Sequence, residues 1–245
     1  MRTIKLTIAY DGTEYVGWQR QDTGPSIQGC IEEALSAIEG GAVTLHGAGR
    51  TDAGVHAIGQ VASARIGAAL DDNRLRRALN AHLPDTIRVT AVATVADDFH
   101  ARFSACGKTY EYRIWNGRVL PPFLRSYAWH RSSPLDMALM QQAADAIRGA
   151  HDFAAFRSSR TVNHSTIREI GTASWRRGDG DLLVFEIAGN GFLRYMVRSL
   201  VGTLVEIGWR RRPPEDIARL LAHPDRSAAG RTAPPRGLFL MKVEY

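Results

Sequence analysis

The stretch Gly47-Ala48-Gly49-Arg50-Thr51-Asp52-Ala53-Gly54-Val55-His56 lies between two strand patterns. Its glycines permit the tight backbone path that a connection needs. Before it, Ala42–His46 reads as a strand; after it, Gly59–Ile66 alternates with the period of another. One step further out lie two helices. Ser26 is placed to cap a run with Ile27, Ile31, Leu35 and Ile38 at helical spacing. Asp71 and Asp72 open a second run, carrying Leu75, Leu79 and His82, with Pro84 beyond it. The outermost pair is Thr3–Tyr10, where Ile4, Leu6 and Ile8 alternate with Lys5 and Thr7, and Thr86–Val95. The order is β-α-β-β-α-β, the split unit of ferredoxin-like folds.

The second half predicts the same order. Lys108–Trp115 is a strand with Tyr110, Tyr112 and Ile114 on one face, and Pro134–Arg148 a helix. Thr166–Arg176 and Leu182–Ile187 form a hairpin turning at Gly178-Asp179-Gly180. Phe192–Gly208 is a strongly apolar helix, Pro213–Ala222 a short inserted one, and Leu238–Tyr245 a closing strand. The expectation is an α+β fold of two tandem ferredoxin-like βαββαβ units, residues 1–105 and 106–245. The loops Asp11–Gly24 and Arg157–His164 carry no regular pattern.

With 245 residues, 44% of them hydrophobic and 23% charged, the chain has the size and composition of a globular protein with one large core or two smaller ones. No apolar run approaches the roughly 18 residues that cross a bilayer. The N-terminus enters a strand pattern directly, with no apolar leader or small-residue cleavage site. A soluble, cytoplasmic protein without membrane contact is expected. Cys30 and Cys106, the only two cysteines, form no Cys-x-x-Cys, and the eight histidines show no metal-binding spacing, so neither a disulfide framework nor a metal is expected. The net charge of +6, carried almost wholly by arginine, suits a polyanionic partner. An arginine-rich composition alone also fits a G+C-rich genome.

Asp52 is the only carboxylate between Glu39 and Asp71, and Arg50 stands two residues before it. An acid beside an arginine stays ionised, and an ionised carboxylate serves as nucleophile or base. A dinucleotide fingerprint is excluded, because Asp52 occupies the third glycine position, and a Walker loop lacks its Gly-Lys-Ser/Thr. Taken alone, Asp52 also fits an acid that caps a turn through its own backbone.

Gly49-Arg50-Thr51-Asp52-Ala53-Gly54-Val55-His56 resembles the signature of the tRNA pseudouridine synthase A family. Further blocks follow in family order. They are Tyr10-Asp11-Gly12-Thr13 with Gly17-Trp18-Gln19-Arg20-Gln21, then Asp98-Phe99-His100-Ala101-Arg102-Phe103-Ser104-Ala105 and Lys108-Thr109-Tyr110-Glu111-Tyr112. Asp152-Phe153-Ala154-Ala155-Phe156-Arg157 and the run from Gly189 to Arg198 complete the set, so the resemblance covers essentially the whole chain. It implies isomerisation of uridine to pseudouridine at positions 38, 39 and 40 in the anticodon stem-loop of tRNA, with no cofactor and no metal. It implies a homodimer, and a mixed, mainly antiparallel sheet flanked by helices, built from two halves around a basic cleft. The first half would carry the catalytic loop and the second would complete the cleft.

The resemblance makes Asp52 the catalytic nucleophile, Tyr110 the tyrosine that stacks on the target uracil, and Arg198 the arginine that pairs with the aspartate. On residues alone, Tyr110 is also a fair core tyrosine, with Tyr112 on the same face as its competitor. Helical spacing puts Arg198 at the edge of the apolar face of Leu193, Met196, Val197, Leu200, Val201 and Leu204, which also suits an arginine reaching to water. Arg50 would touch the phosphate of the flipped nucleotide or brace the loop. Trp18, Arg20, Arg157, Arg160 and Arg194 are candidate RNA contacts, although Trp18 equally suits a core. The competing function is a non-catalytic RNA-binding protein of the same fold.

Overall fold

A computed structural model describes residues 1–158 and 165–245. In chain order the first elements are β1 (Arg2–Tyr10), α1 (Ile27–Glu39), β2 (His46–Gly47), β3 (His56–Ile66), α2 (Asp72–His82) and β4 (Ile87–Val95). There follow β5 (Gly107–Trp115), β6 (Trp129–His130), α3 (Met137–Asp145), β7 (Gly149–Asp152), β8 (Ile167–Arg177), β9 (Leu182–Gly189), α4 (Met196–Gly208), α5 (Asp216–Ala222) and β10 (Leu238–Glu244). The fold is α+β with mixed, mostly antiparallel pairing. It divides into two compact units, residues 1–106 with 239–245, and residues 107–238.

In the first unit β1 is the central strand, antiparallel to both β3 and β4. Ile4, Leu6 and Ile8 are fully buried, as their alternation requires, and each such side chain contributes roughly 1.5–3 kcal/mol of burial. On the other side of β3, β2 pairs at Ser63 and Ala62, and β10 pairs in parallel at His56 and Ala57. The Oγ of Ser26 accepts the Gly29 N–H at 3.2 Å and starts α1, which buries Ile27, Ile31 and Leu35. Asp71 caps α2 through the Arg74 N–H at 2.8 Å, and Leu75 and Leu79 face the core.

The expected strand over Ala42–His46 shrinks to His46–Gly47, because side chains of α1 take up the backbone groups ahead of it. Ser36 Oγ accepts from Val43 N (3.3 Å), Glu32 Oε1 accepts from Leu45 N (3.1 Å), and Gln28 Nε2 donates to Leu45 O (2.9 Å). The closing strand also differs from expectation. From Phe239 on it belongs to the first unit, where Phe239 stacks on His56 at 4.7 Å.

In the second unit β5, β9, β8 and β7 form an antiparallel series in that order, and β6 adds a short parallel pairing at Ile114 and Trp115. The hairpin of β8 and β9 turns at Gly178-Asp179-Gly180 as expected. The strands β6 and β7 are too short to show periodicity and were not expected. The helix α4 is the core of this unit, with Met196, Leu200, Val201, Leu204 and Val205 fully buried. It starts at Met196 rather than Phe192, because Tyr195 adopts a left-handed backbone (φ 67°) that breaks the helical path. The helix expected over Pro134–Arg148 is confined to Met137–Asp145, where the Asp136 carboxylate accepts from the N–H groups of Ala138 and Leu139. Among the described residues no helix is long and apolar enough to cross a membrane.

Candidate active site

The Asp52 loop of the first unit is fastened at almost every residue. Ala48 N donates to Val61 O (2.8 Å), and the fully buried Gln60 donates through Nε2 to Gly49 O (2.9 Å). The buried Thr51 is held twice: its carbonyl accepts from Trp18 N at 3.0 Å, and its Oγ1 lies 2.8 Å from the Tyr10 hydroxyl. Val55 N closes a turn onto Asp52 O at 3.1 Å, with Gly54 at φ +75°. Asp52 also forms an antiparallel bridge with Gly17. Gly17 sits at φ +110°, and a Cβ there would stand 2.6 Å from the Thr51 carbonyl oxygen, so only glycine fits. At the end of the loop, the Nδ1 of buried His56 lies 3.1 Å from Gly12 N and 3.2 Å from Asp11 Oδ1.

The result is a half-buried carboxylate on a backbone held by hydrogen bonds on both sides of it. A fixed acid of this kind is pre-positioned for attack or proton transfer and loses little entropy on reacting. Burial pushes the Tyr10 hydroxyl up to about 12, so the group that anchors Thr51 stays protonated at any physiological pH. Arg50 is exposed and makes no ion pair among the described residues, so the expected partnership with Asp52 through adjacent sequence is not formed. Arg50 stands two residues before Asp52 on a held backbone, and its side chain is turned to solvent.

Two candidate RNA contacts of this unit have other duties. Trp18 is only 2% exposed and packs against Gly47 and Tyr10, which makes it a core residue and corrects its assignment to RNA. Its size and apolar ring are better satisfied by burial than by a loop surface. Arg20 pairs with Glu32 and Glu33 of α1 at 3.4 and 3.2 Å, so its charge is already matched.

In the second unit Tyr110 and Tyr112 share a face of β5, and the structure separates them. Tyr112 is fully buried, donates its hydroxyl to Pro234 O at 2.7 Å and packs edge-on against Trp129. Burial raises its pKa far above the ordinary tyrosine value. Tyr110 keeps 7% exposure and meets Phe192 edge-to-face at 5.0 Å. Arg198 lies on the first turn of α4, half-buried, with its Nε donating to Ala233 O at 2.8 Å. Its guanidinium lies 4.8 Å from the ring of Tyr195, and that of the exposed Arg194 lies 5.0 Å from the same ring. Arg157 is half-buried at the end of a short 3-10 turn, next to Ser158, whose N–H donates to Arg194 O at 2.9 Å. Arg160 lies outside the described residues.

Tyr195 was missed by the sequence reading. A non-glycine residue at φ 67° is strained by about 1–2 kcal/mol, and here it places two guanidinium groups on one ring. Arg194 lies before the helix and Arg198 in its first turn, so the shared contact depends on the left-handed backbone of Tyr195, which helical spacing does not show. Among the described residues no group of three or more His, Cys, Asp or Glu could hold a metal ion.

The "tRNA pseudouridine synthase A" of Syntrophotalea carbinolica is 45% identical to this chain, over all of the chain and 97% of that protein. The "tRNA pseudouridine synthase A" of Pelobacter propionicus is 46% identical over the full length of both. "tRNA pseudouridine synthase A 1" of Desulfotalea psychrophila is 44% identical, again over the full length of both. A solved Cbf5–Nop10–Gar1 complex aligns with 97% of this chain and 48% of the matched chain, at 12% identity and a TM-score of 0.39, too distant to transfer any side-chain position. The family model for tRNA pseudouridine synthase matches residues 6–104 and 143–245, blocks that include Asp52 and Arg198. On this identity and this coverage, the chain belongs to the tRNA pseudouridine synthase family.

Proposed function

We propose that this chain isomerises uridine to pseudouridine at positions 38, 39 and 40 in the anticodon stem-loop of tRNA, acting as a cytoplasmic homodimer with Asp52 as nucleophile. The observation that carries the reading is the Asp52 loop, in which a half-buried acid stands on a backbone pinned by Trp18, Gln60, Tyr10 and Gly17. A solvent-exposed turn cap needs no such support, whereas a reacting group does.

The reaction breaks the N1–C1′ bond, turns the uracil and joins C1′ to C5. A proton leaves C5 and one is taken up at N1, so there is no net oxidation. The Asp52 carboxylate starts it, by adding to uracil C6 or by assisting loss of the base at C1′. The target must leave its stack to reach a protein carboxylate. Tyr110 offers an aromatic surface for the flipped base and a hydroxyl for the C5 proton. Arg198 is the arginine assigned to balance the charge of the acid, Arg50 meets a phosphate, and Arg157 and Arg194 add charge for the RNA backbone.

The test uses a tRNA transcript tritiated at uridine C5. Joining C1′ to C5 sends that tritium into water. The wild type is expected to release it without added metal or cofactor, and Asp52→Asn to release none while binding tRNA within about twofold of the wild type. Binding without release by the wild type, across several tRNAs with uridine in the anticodon arm, would instead favour an RNA-binding protein without catalysis.

A further inference from the structure

The block Asp98–Ala105 has no part in the chemistry above, yet the loop it forms is as firmly held as the Asp52 loop. Ala101 is fully buried, its N–H donates to Ser63 Oγ at 3.0 Å, and its carbonyl accepts from the Tyr245 hydroxyl at 2.8 Å. His100 N donates to Ser104 Oγ (3.1 Å), and Ser104 N donates back to His100 O (2.9 Å). The Nδ1 of His100 accepts the N–H groups of both Arg102 and Phe103, at 3.1 and 3.3 Å. Burial first, and neighbouring His46 second, lower the His100 pKa, which keeps that nitrogen an acceptor.

What this loop holds up is a column of rings. His46, on the strand that runs into the Asp52 loop, lies 4.9 Å from His100, and His100 lies 4.4 Å from Phe103. The column ends at Phe103, which is 76% exposed, with the Arg102 guanidinium 5.6 Å from its ring. A protein interface centres on a contiguous apolar patch. Here the residues that flank Phe103 in the chain, Arg102 and Ser104, are exposed and polar, as is His46 at the other end of the column, while Lys5 lies over Phe99 and the exposed Tyr245. A single rigid aromatic ring edged by a guanidinium is the arrangement that stacks an unpaired base and meets its phosphate.

We propose that this loop is a stacking platform for an unpaired nucleotide of the tRNA, distinct from the uridine that is isomerised, with Phe103 against the base and Arg102 at the phosphate. The proposal rests on the tRNA reading above and adds a binding point that lies outside the chemistry.

The test is tRNA binding by fluorescence anisotropy at several salt concentrations, beside tritium release and sedimentation, on full-length wild type, Phe103→Ala, Phe103→Trp and Arg102→Gln. Phe103→Ala is expected to raise Kd about tenfold at every salt concentration, the loss of one stacked base. Phe103→Trp is expected to restore binding to within about twofold. Arg102→Gln is expected to reduce the salt slope by about one phosphate contact. Equal Kd values for wild type and Phe103→Ala overturn the platform while leaving the enzyme reading intact. A change of oligomeric state in Phe103→Ala also overturns it, since the ring would then face a second copy of the chain. A wild type that neither binds tRNA nor releases tritium overturns the enzyme reading, and this inference with it.

Discussion

Two buried tyrosines two residues apart on one strand face meet different neighbours, Tyr112 packing on Trp129 and Tyr110 on Phe192. Tyr112 gives its hydroxyl to Pro234 O, so Tyr112→Phe leaves a carbonyl unsatisfied and is expected to cost about 1 kcal/mol in urea unfolding, with tritium release unchanged. Tyr110→Ala should do the reverse in kind, lowering kcat/KM by on the order of a hundredfold through loss of base contact and proton transfer. If Tyr112→Phe abolished release instead, the assignment of the two would have to be exchanged. Tyr10 has a pH signature. Its folded value of about 12 lies above the ordinary 10, so the folded protein holds that proton more tightly. The resulting stability is complete below pH 10 and is lost as pH rises towards 12, on the order of 3 kcal/mol. Tyr10→Phe lacks this component. It should be less stable than wild type by about 1 kcal/mol at pH 8, from the lost Thr51 bond, and the difference should shrink above pH 10 and reverse by about pH 11.5. Urea midpoints that differ equally at pH 8 and pH 11.5 would sink the argument.

Elements are set by where their backbone groups find partners. Ser26 and Asp71 cap α1 and α2 as their sequence positions imply, because a cap acts within three residues and needs nothing remote. The segment from Ala42 to Leu45 is different. Its alternation suits a strand, but Glu32, Ser36 and Gln28 reach it from α1 first. The Asp52 loop depends on Gly17, which lies far from it in sequence. Gly17→Ala meets both a positive φ and the Thr51 carbonyl, and is expected to cost roughly 1–3 kcal/mol while also lowering tritium release by displacing the strand opposite Asp52. Thermal melting and release measured on the same sample would check both; a variant unchanged in each would show that the bridge does not position the acid.

At the scale of the molecule, the chain returns at its end to the unit it began. Residues 239–245 complete the first unit, and Phe239, 6% exposed, stacks on His56 at the mouth of the Asp52 loop. Phe239→Ala should therefore destabilise the N-terminal unit by about 3 kcal/mol, although it lies near the opposite end of the sequence. Trp18 reports on that unit, since the other four tryptophans, Trp115, Trp129, Trp175 and Trp209, all lie in residues 107–238. The check is denaturant unfolding followed by Trp18 fluorescence in a variant whose other tryptophans are phenylalanine. An unshifted midpoint would mean that the closing strand contributes little to the first unit.

Local pattern sufficed for much of this protein. The alternation of Ile4, Leu6 and Ile8, the helical spacing of Ile27, Ile31 and Leu35, and the caps before both helices specify the β-α-β-β-α-β order, because period and capping are properties of adjacent residues. The acid in its glycine-rich loop was legible for the same reason. That Tyr112 is fully buried against Trp129, that Trp18 is buried, that Arg50 is turned to solvent, and which unit takes the last strand were decided only by tertiary structure. Each depends on a partner tens of residues away, such as Pro234 for Tyr112, Gly47 for Trp18 and His56 for Phe239. Periodicity says which face of an element is apolar, but the free energy of burial and pairing is shared with whatever the rest of the chain brings against it.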